Sequence, residues 1–188
     1  VLDEIAVIAR PAPASRRGEA ESLVEALEPL RSLVRLPGPG TLEGGDVLRD
    51  GRVLYVAATS RTDRAGLDAL RAVVEPHGYE VRELPLRGCL HLETACCAIG
   101  RRRFLVNPDW VDADRLDADE VVPIDPGEPY GANVLLVGDG VVLPAEHRRT
   151  RRLLDHAGIP TVPVEFSEFV KAEAGVTCAC VLVPPAGG

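Results

Sequence analysis

Methionine is absent from this sequence, and aromatic residues make up only 4% of its 188 residues. A natural reading frame opens with methionine whereas residue 1 is Val, so the sequence is expected to lack its first part. No apolar run approaches the roughly 20 residues that a bilayer-spanning helix needs. No charged-then-apolar segment opens the chain, so nothing argues for export. No basic tract is interleaved with aromatics, which sets aside nucleic acid and anionic membrane as partners. The cysteines, Cys89, Cys96, Cys97, Cys178 and Cys180, are odd in number and unevenly spaced. They read as reduced thiols of a cytoplasmic protein and not as a disulfide framework. A Gly-rich loop of the kind that cradles a phosphate or a dinucleotide is missing as well.

What is present suffices for a packed core: 46% of residues are apolar, and the net charge of −8 favours solubility. The length fits a single domain over residues 1–188. Short apolar strands alternate with helical stretches. Residues 5–9 form a strand closed by Arg10-Pro11. Residues 17–33 have helical spacing, with Leu23, Leu27 and Leu30 on one face and Ser15 as N-cap. Residues 46–48 and 53–57 around Asp50-Gly51 read as a hairpin, followed by a helix over 62–76 and a strand over 81–84. The pattern recurs as a hairpin of 91–99 with 104–106 about Gly100-Arg101, a short acidic stretch and a strand over 120–124. It recurs again as 133–137 with 141–143 about Asp139-Gly140, a helix over 148–157 and a strand over 161–164. Aligning the second hairpin arms puts Val53, Phe104 and Val141 in register. Antiparallel hairpins argue against a doubly wound sheet. Repetition of one strand–strand–helix–strand unit predicts a radial, propeller-like α/β fold with partial copies at its ends.

Several segments bear residues with chemistry. In Gly175-Val176-Thr177-Cys178-Ala179-Cys180 a thiol heads an apolar strand, and alternation sets Cys178 and Cys180 on one face. Cys89, Cys96 and Cys97 sit on or beside a strand and read as core thiols. His91, between Leu90 and Leu92 at the start of a strand, suits a buried structural histidine as readily as a catalytic one. His77, His147 and His156 read as solvent-facing. Leu42-Glu43-Gly44-Gly45-Asp46 brings two carboxylates to the mouth of a strand, with a glycine pair that permits close backbone approach. Ser15-Arg16-Arg17 and Ser60-Arg61-Thr62 each follow a strand and precede a helix. Arg16 and Arg61 are therefore candidates to grip a carboxylate through bidentate hydrogen bonds, although Arg148-Arg149 occupies the equivalent place in a later repeat. Zinc is disfavoured, because an adjacent and an alternating cysteine pair on strands lack the loop spacing of structural sites.

In chain order, Ala9-Arg10-Pro11, Ser15-Arg16-Arg17-Gly18-Glu19, Leu42-Glu43-Gly44-Gly45-Asp46, Ser60-Arg61-Thr62, Leu90-His91-Leu92-Glu93-Thr94, Gly131-Ala132-Asn133 and Gly175-Val176-Thr177-Cys178 form a series. That series resembles the dimethylarginine dimethylaminohydrolase family of the guanidino-modifying superfamily, which includes arginine deiminase and amidinotransferase. The resemblance runs over essentially all of the sequence. It implies a pentein-type, five-fold α/β propeller with its active site in the central channel, here incomplete for want of the first blade. By motif, Cys178 matches the nucleophile, His91 the acid/base and Glu43 the third member that orients the histidine. Arg16 and Arg61 match the residues that hold the substrate's α-carboxylate, and Asn133 matches a supporting position counted with the substrate-binding residues. Cys180 matches no catalytic position, and Glu93 stands where a basic residue is more usual. The family's Glu-Asp run, whose aspartate grips the guanidinium, precedes the strand near Val1, and Asp3 and Glu4 do not take its place.

The activity so implied is hydrolysis of N-methylated arginine to citrulline and methylamine or dimethylamine, through a thiouronium on Cys178 and without a metal or organic cofactor. A guanidinium is a poor electrophile, so attack needs a thiolate. A cysteine pKa near ~8.5 leaves only a few per cent thiolate at neutral pH, and a cationic substrate supplies part of the activation. Two other readings stay open: an arginine deiminase-like hydrolase of unmodified arginine, and a non-catalytic or metal-binding thiol fragment. The expected partner is a small guanidino substrate, with oligomerisation left open.

Overall fold

The computed structural model of the chain describes residues 1–185. Strand β1 (Ile5–Ile8) pairs in parallel with β2 (Ser32–Arg35) through the crossover helix α1 (Glu19–Leu27). Three units of one plan follow. In the first, β3 (Val47–Asp50) and β4 (Val53–Val56) form an antiparallel hairpin. Helix α2 (Arg64–Val74) then crosses back, so that β5 (Glu80–Glu83) lies parallel to β4. The second opens with a short helix, α3 (Leu92–Ala95), ahead of β6 (Cys96–Gly100), β7 (Arg103–Val106) and β8 (Glu120–Pro123). A 3-10 turn at Ala113–Arg115 takes the place of the crossing helix. The third comprises β9 (Leu135–Val137), β10 (Gly140–Pro144), α4 (Arg148–His156) and β11 (Thr161–Val164). Helix α5 (Ser167–Lys171) and a 3-10 turn at Val176–Ala179 follow. A parallel partner cannot be reached by a tight turn, which accounts for the long connection inside every unit. Among the described residues no helix is long and apolar enough to cross a membrane.

The middle strands of the first two units bury apolar residues on both faces, and the two faces serve different cores. Leu54 and Val56 of β4 pack with Leu67, Leu70 and Val74 of α2. Tyr55, pointing the other way, packs with Phe104 and Val106 of the next unit, its ring edge-on to Phe104 at 5.8 Å. Leu105 in turn joins Val141, Leu143 and Leu154. The leading strands of successive units touch, β3 against β6 and β6 against β9. The repeated unit expected from the sequence is thus present three times, with β1, α1 and β2 as a partial copy.

Some details differ from the sequence reading. The stretch 17–33 is not one helix: α1 starts after Gly18, Ser15 lies in a 3-10 turn at Ala14–Arg16, and the chain returns as β2 to pair with β1. Leu23 and Leu30 are exposed, so the apolar spacing that suggested the longer helix does not mark a core face. The hairpin loops are Gly51-Arg52, Arg101-Arg102 and Gly138-Asp139, each shifted by one residue from the reading. Gly51 and Gly138 take positive φ at the first loop position, as tight hairpins require. The corresponding buried positions are therefore Leu54, Phe104 and Val141, with Val53 one residue out of register. His91 precedes α3 instead of opening a strand. Residues 178–183 form no strand, because Cys178 lies in a 3-10 turn whose N–H donates back to the Gly175 carbonyl at 3.0 Å.

One close approach fixes where the first site loop runs. A Cβ on Gly66 would fall 1.9 Å from the Thr41 carbonyl oxygen, so the loop at 40–41 lies directly on the first turn of α2. The N-cap Asp63 secures it, accepting from Gly66 N at 2.7 Å and Thr41 N at 3.1 Å. In an ordinary helix Gly→Ala stabilises by about 1 kcal/mol. Here Gly66→Ala is expected to destabilise by about 1–3 kcal/mol through overpacking, read from urea unfolding. An unchanged or raised midpoint would contradict the packing described.

Candidate active site

Downstream of this contact, the loop 42–46 delivers two carboxylates into the interior. Glu43 is buried, and its backbone N–H donates to Thr62 Oγ1 at 3.1 Å. Its Oε2 accepts from Arg16 Nη1 at 2.9 Å, and its Oε1 lies 3.7 Å from Arg61 Nη1. Asp46, at the end of the 3-10 turn Gly44–Asp46, is fully buried. Its Oδ2 accepts from the hydroxyls of Thr62 at 2.6 Å and Thr59 at 2.8 Å. Its Oδ1 accepts from Leu92 N at 3.3 Å and faces His91 Nδ1 at 3.3 Å. The other ring nitrogen of His91, Nε2, lies 3.5 Å from Glu43 Oε2. The imidazole is thus held between two carboxylates. A Cβ on Gly45 would come 3.2 Å from its Cγ, so the second glycine of the loop lets the ring lie against the backbone.

A second group carries the thiol. A Cβ on Gly175 would fall 2.2 Å from Asn133 Oδ1, which brings the Asn133 amide against the turn at Val176–Ala179. Asn133 Nδ2 donates to Thr177 Oγ1 at 2.9 Å and to the Glu93 carbonyl at 3.0 Å, and its Oδ1 accepts from Thr177 N at 3.4 Å. The whole amide is spent inside the protein. Asn133 clamps the turn next to Cys178, the supporting position expected for it. Glu93 links the two groups through its backbone: its carbonyl accepts from Asn133 Nδ2, and it lies in the short helix α3 that His91 caps. Burial pushes its carboxyl up to about 7.

The thiols separate clearly. Cys96 and Cys97 are buried, and burial pushes both far up. Cys89 is half-buried and pushed up to about 11 by the same cause. Cys89 Sγ donates to the His91 carbonyl, Cys97 Sγ to that of Glu93 and Cys180 Sγ to that of Val176. Cys178 is exposed. Cys180 is exposed too, but its thiol is raised by desolvation.

The structure therefore brings Glu43, His91, Arg16 and Arg61 together. Cys178 lies on the turn that Asn133 ties to the Glu93 carbonyl, and among the described residues its thiol makes no hydrogen bond to His91. Arg16 and Arg61 do converge on a carboxylate, that of Glu43. Arg149 instead pairs with Asp125 at 2.7 Å. His147 departs from its solvent-facing reading, since it is half-buried and burial lowers its pKa. Among the described residues no three or more His, Cys, Asp or Glu side chains are grouped to hold a metal ion. Asp46 and Thr62 were within quoted motifs, but nothing in the sequence says which carboxylate meets which imidazole nitrogen.

No protein-family profile matches the chain. The dimethylarginine dimethylaminohydrolase of Streptomyces coelicolor is 36% identical over 183 residues, spanning 96% of this chain and 70% of that protein. The enzyme of the same name from Pseudomonas aeruginosa is 31% identical over 175 residues, spanning 92% of this chain and 69% of that protein. The solved structure of a cysteine-to-serine variant of the latter, complexed with citrulline, matches with a TM-score of 0.85 at 28% identity, over 95% of this chain and 71% of that one. The three repeated units are those of the pentein fold shared by guanidino-modifying enzymes. Within that class, this chain belongs to the dimethylarginine dimethylaminohydrolase family.

The raised carboxyl of Glu93 makes stability depend on pH with a definite sign. Between its ordinary value of 4.5 and about 7, the folded chain holds a proton that the unfolded chain has released. Stability contributed by this group therefore falls as pH rises through that window. Glu93→Gln is expected to raise stability at pH 8 by on the order of 2 kcal/mol relative to the parent, with the difference vanishing near pH 4. Thermal melts of both proteins at the two pH values check this, and an equal difference at both would refute it.

Proposed function

We propose that the chain hydrolyses the guanidino C–N bond of N-methylated arginine, releasing citrulline and methylamine or dimethylamine, with residues 1–188 acting as one catalytic domain. The observation that carries this reading is the histidine held between two carboxylates at the start of the short helix whose Glu93 carbonyl Asn133 ties to the turn that bears Cys178, in a chain of this family. The Cys178 thiolate attacks the guanidino carbon. His91, as imidazolium, protonates the departing amine through Nε2, which leaves an S-alkylthiouronium on Cys178. The neutral imidazole then takes a proton from water as the hydroxide adds to the same carbon. Collapse expels the sulfur, the hydroxyl proton restores the thiol, and citrulline leaves. One imidazole serves both steps because it gives up its proton in the first and takes one back in the second. Arg16 and Arg61 already converge on one carboxylate, and the substrate's α-carboxylate presents the same planar partner. Glu43, relieved of that pairing, then faces the imidazole and the cation.

Citrulline release from dimethylarginine and from plain arginine, measured side by side, tests this. Cys178→Ser is expected to abolish release, and Cys180→Ser to leave most of it. Arg61→Ala should lower kcat/KM roughly ten- to hundred-fold, the worth of a charge-assisted bond of about 1.5–3 kcal/mol, whereas Arg149→Ala should not. Turnover of plain arginine alone would transfer the reading to the arginine deiminase-like alternative, and turnover by Cys178→Ser would overturn it.

A further inference from the structure

The mechanism above assigns no task to Asp46, yet this carboxylate has the most completely determined surroundings in the site. It is fully buried, and among the described residues no Arg or Lys is paired with it. Its charge is compensated by donors alone: the hydroxyls of Thr59 and Thr62 on Oδ2, and Leu92 N and the Nδ1 side of His91 on Oδ1. The hydroxyls cannot turn to offer lone pairs instead. Thr59 Oγ1 already accepts from Arg61 N at 3.0 Å and Thr62 N at 3.2 Å. Thr62 Oγ1 already accepts from Glu43 N. Both hydroxyl protons are thereby directed at Asp46, and Leu92 N–H can only donate. Asp46 accepts from all of them as a carboxylate, and against an ionised Oδ1 the ring nitrogen that shares it carries the proton.

We infer that Asp46 is the positioning residue of the site: it locks His91 in the Nδ1–H tautomer and so reserves Nε2 for proton transfer. Glu43, expected from its motif to orient the histidine, lies on the Nε2 side, where the reacting groups pass. The inference rests on the hydrolase reading for its catalytic meaning, but the tautomer itself does not. A ring bonded through Nδ1 can gain and lose its second proton at Nε2 without turning. The buried anion behind it stabilises the imidazolium that forms when water is deprotonated, the division of labour seen in Ser-His-Asp triads. The groups facing the ring are Asp46, Glu43, Glu93 and the Cys89 thiol that bonds the His91 carbonyl, with Arg16 and Arg61 behind Glu43.

The test is long-range proton–nitrogen NMR on the full chain labelled with 15N-histidine, with the His91 signals assigned by His91→Gln. At a pH where its 15N shifts report the neutral ring, His91 is expected to show a protonated Nδ1 and a bare Nε2 in the parent protein. Thr62→Val removes a donor to the same carboxylate without touching the imidazole, so it should lower stability and leave this tautomer in place. Asp46→Ala should lose the tautomer and lower kcat by on the order of 10²–10⁴-fold, with KM changing far less. Should Asp46→Ala fail to fold, the parent and Thr62→Val spectra still decide. A parent protein that releases citrulline yet carries the neutral His91 proton on Nε2 would overturn this inference alone. A parent that shows the Nδ1–H tautomer but turns over no guanidino substrate would overturn the proposed function and leave the assignment of Asp46 standing.

Discussion

No three-stranded unit of this chain can bury both faces of its middle strand by itself, and the architecture follows from that constraint. Leu54 and Val56 look into one core while Tyr55 looks into the next, and Leu105 repeats the arrangement one unit on. Each core is therefore shared between neighbours, which forces the units to stack with their leading strands in contact. The segments that feed those strands are carried to a common centre. Glu43 and Asp46 precede β3, His91 and Glu93 precede β6, and Asn133 precedes β9. The turn bearing Cys178 reaches the same region along β10. Arg16 and Arg61 occupy a second repeated place, after β1 and after β4. Repetition of the fold thus brings residues scattered along the sequence into one site.

Three carboxyl groups surround His91, and each is kept by different physics. Glu43 is paired with guanidinium groups. Asp46 is surrounded by hydrogen-bond donors. Glu93 is pushed toward neutrality by burial. This concentration of acceptors in a half-desolvated site suits a cationic ligand. The exposed Cys178 contrasts with the buried pair Cys96 and Cys97, whose thiolates burial disfavours.

The repeated hairpins were legible because alternating apolar residues and tight Gly-containing loops are local signals, and their positions erred only by the single residue that separates one loop register from another. The end of α1 was not legible. Apolar residues spaced like a helix face continue past Leu27, whereas the pairing of Ser32–Arg35 with β1 is a long-range event that no local pattern records. The strand expected at Cys178 fails for a similar reason, since a clamp by Asn133 from more than 40 residues away holds the turn. Glu43, His91, Arg16 and Arg61 could be gathered from their motifs, but the roles of Asn133 and Asp46 depend on which donor meets which oxygen. Those facts exist only in the folded chain.

The central claim is that Cys178 forms the covalent link to the guanidino carbon while His91 carries the proton. Mass spectrometry of the protein, acid-quenched during steady turnover of dimethylarginine and digested, reads this directly. The peptide containing Cys178 is predicted to gain the mass of the substrate less that of the released amine, and His91→Ala should keep that adduct from discharging or from forming at the parent rate. An adduct on Cys89, Cys96, Cys97 or Cys180, or citrulline release with no adduct on any cysteine, would contradict the account.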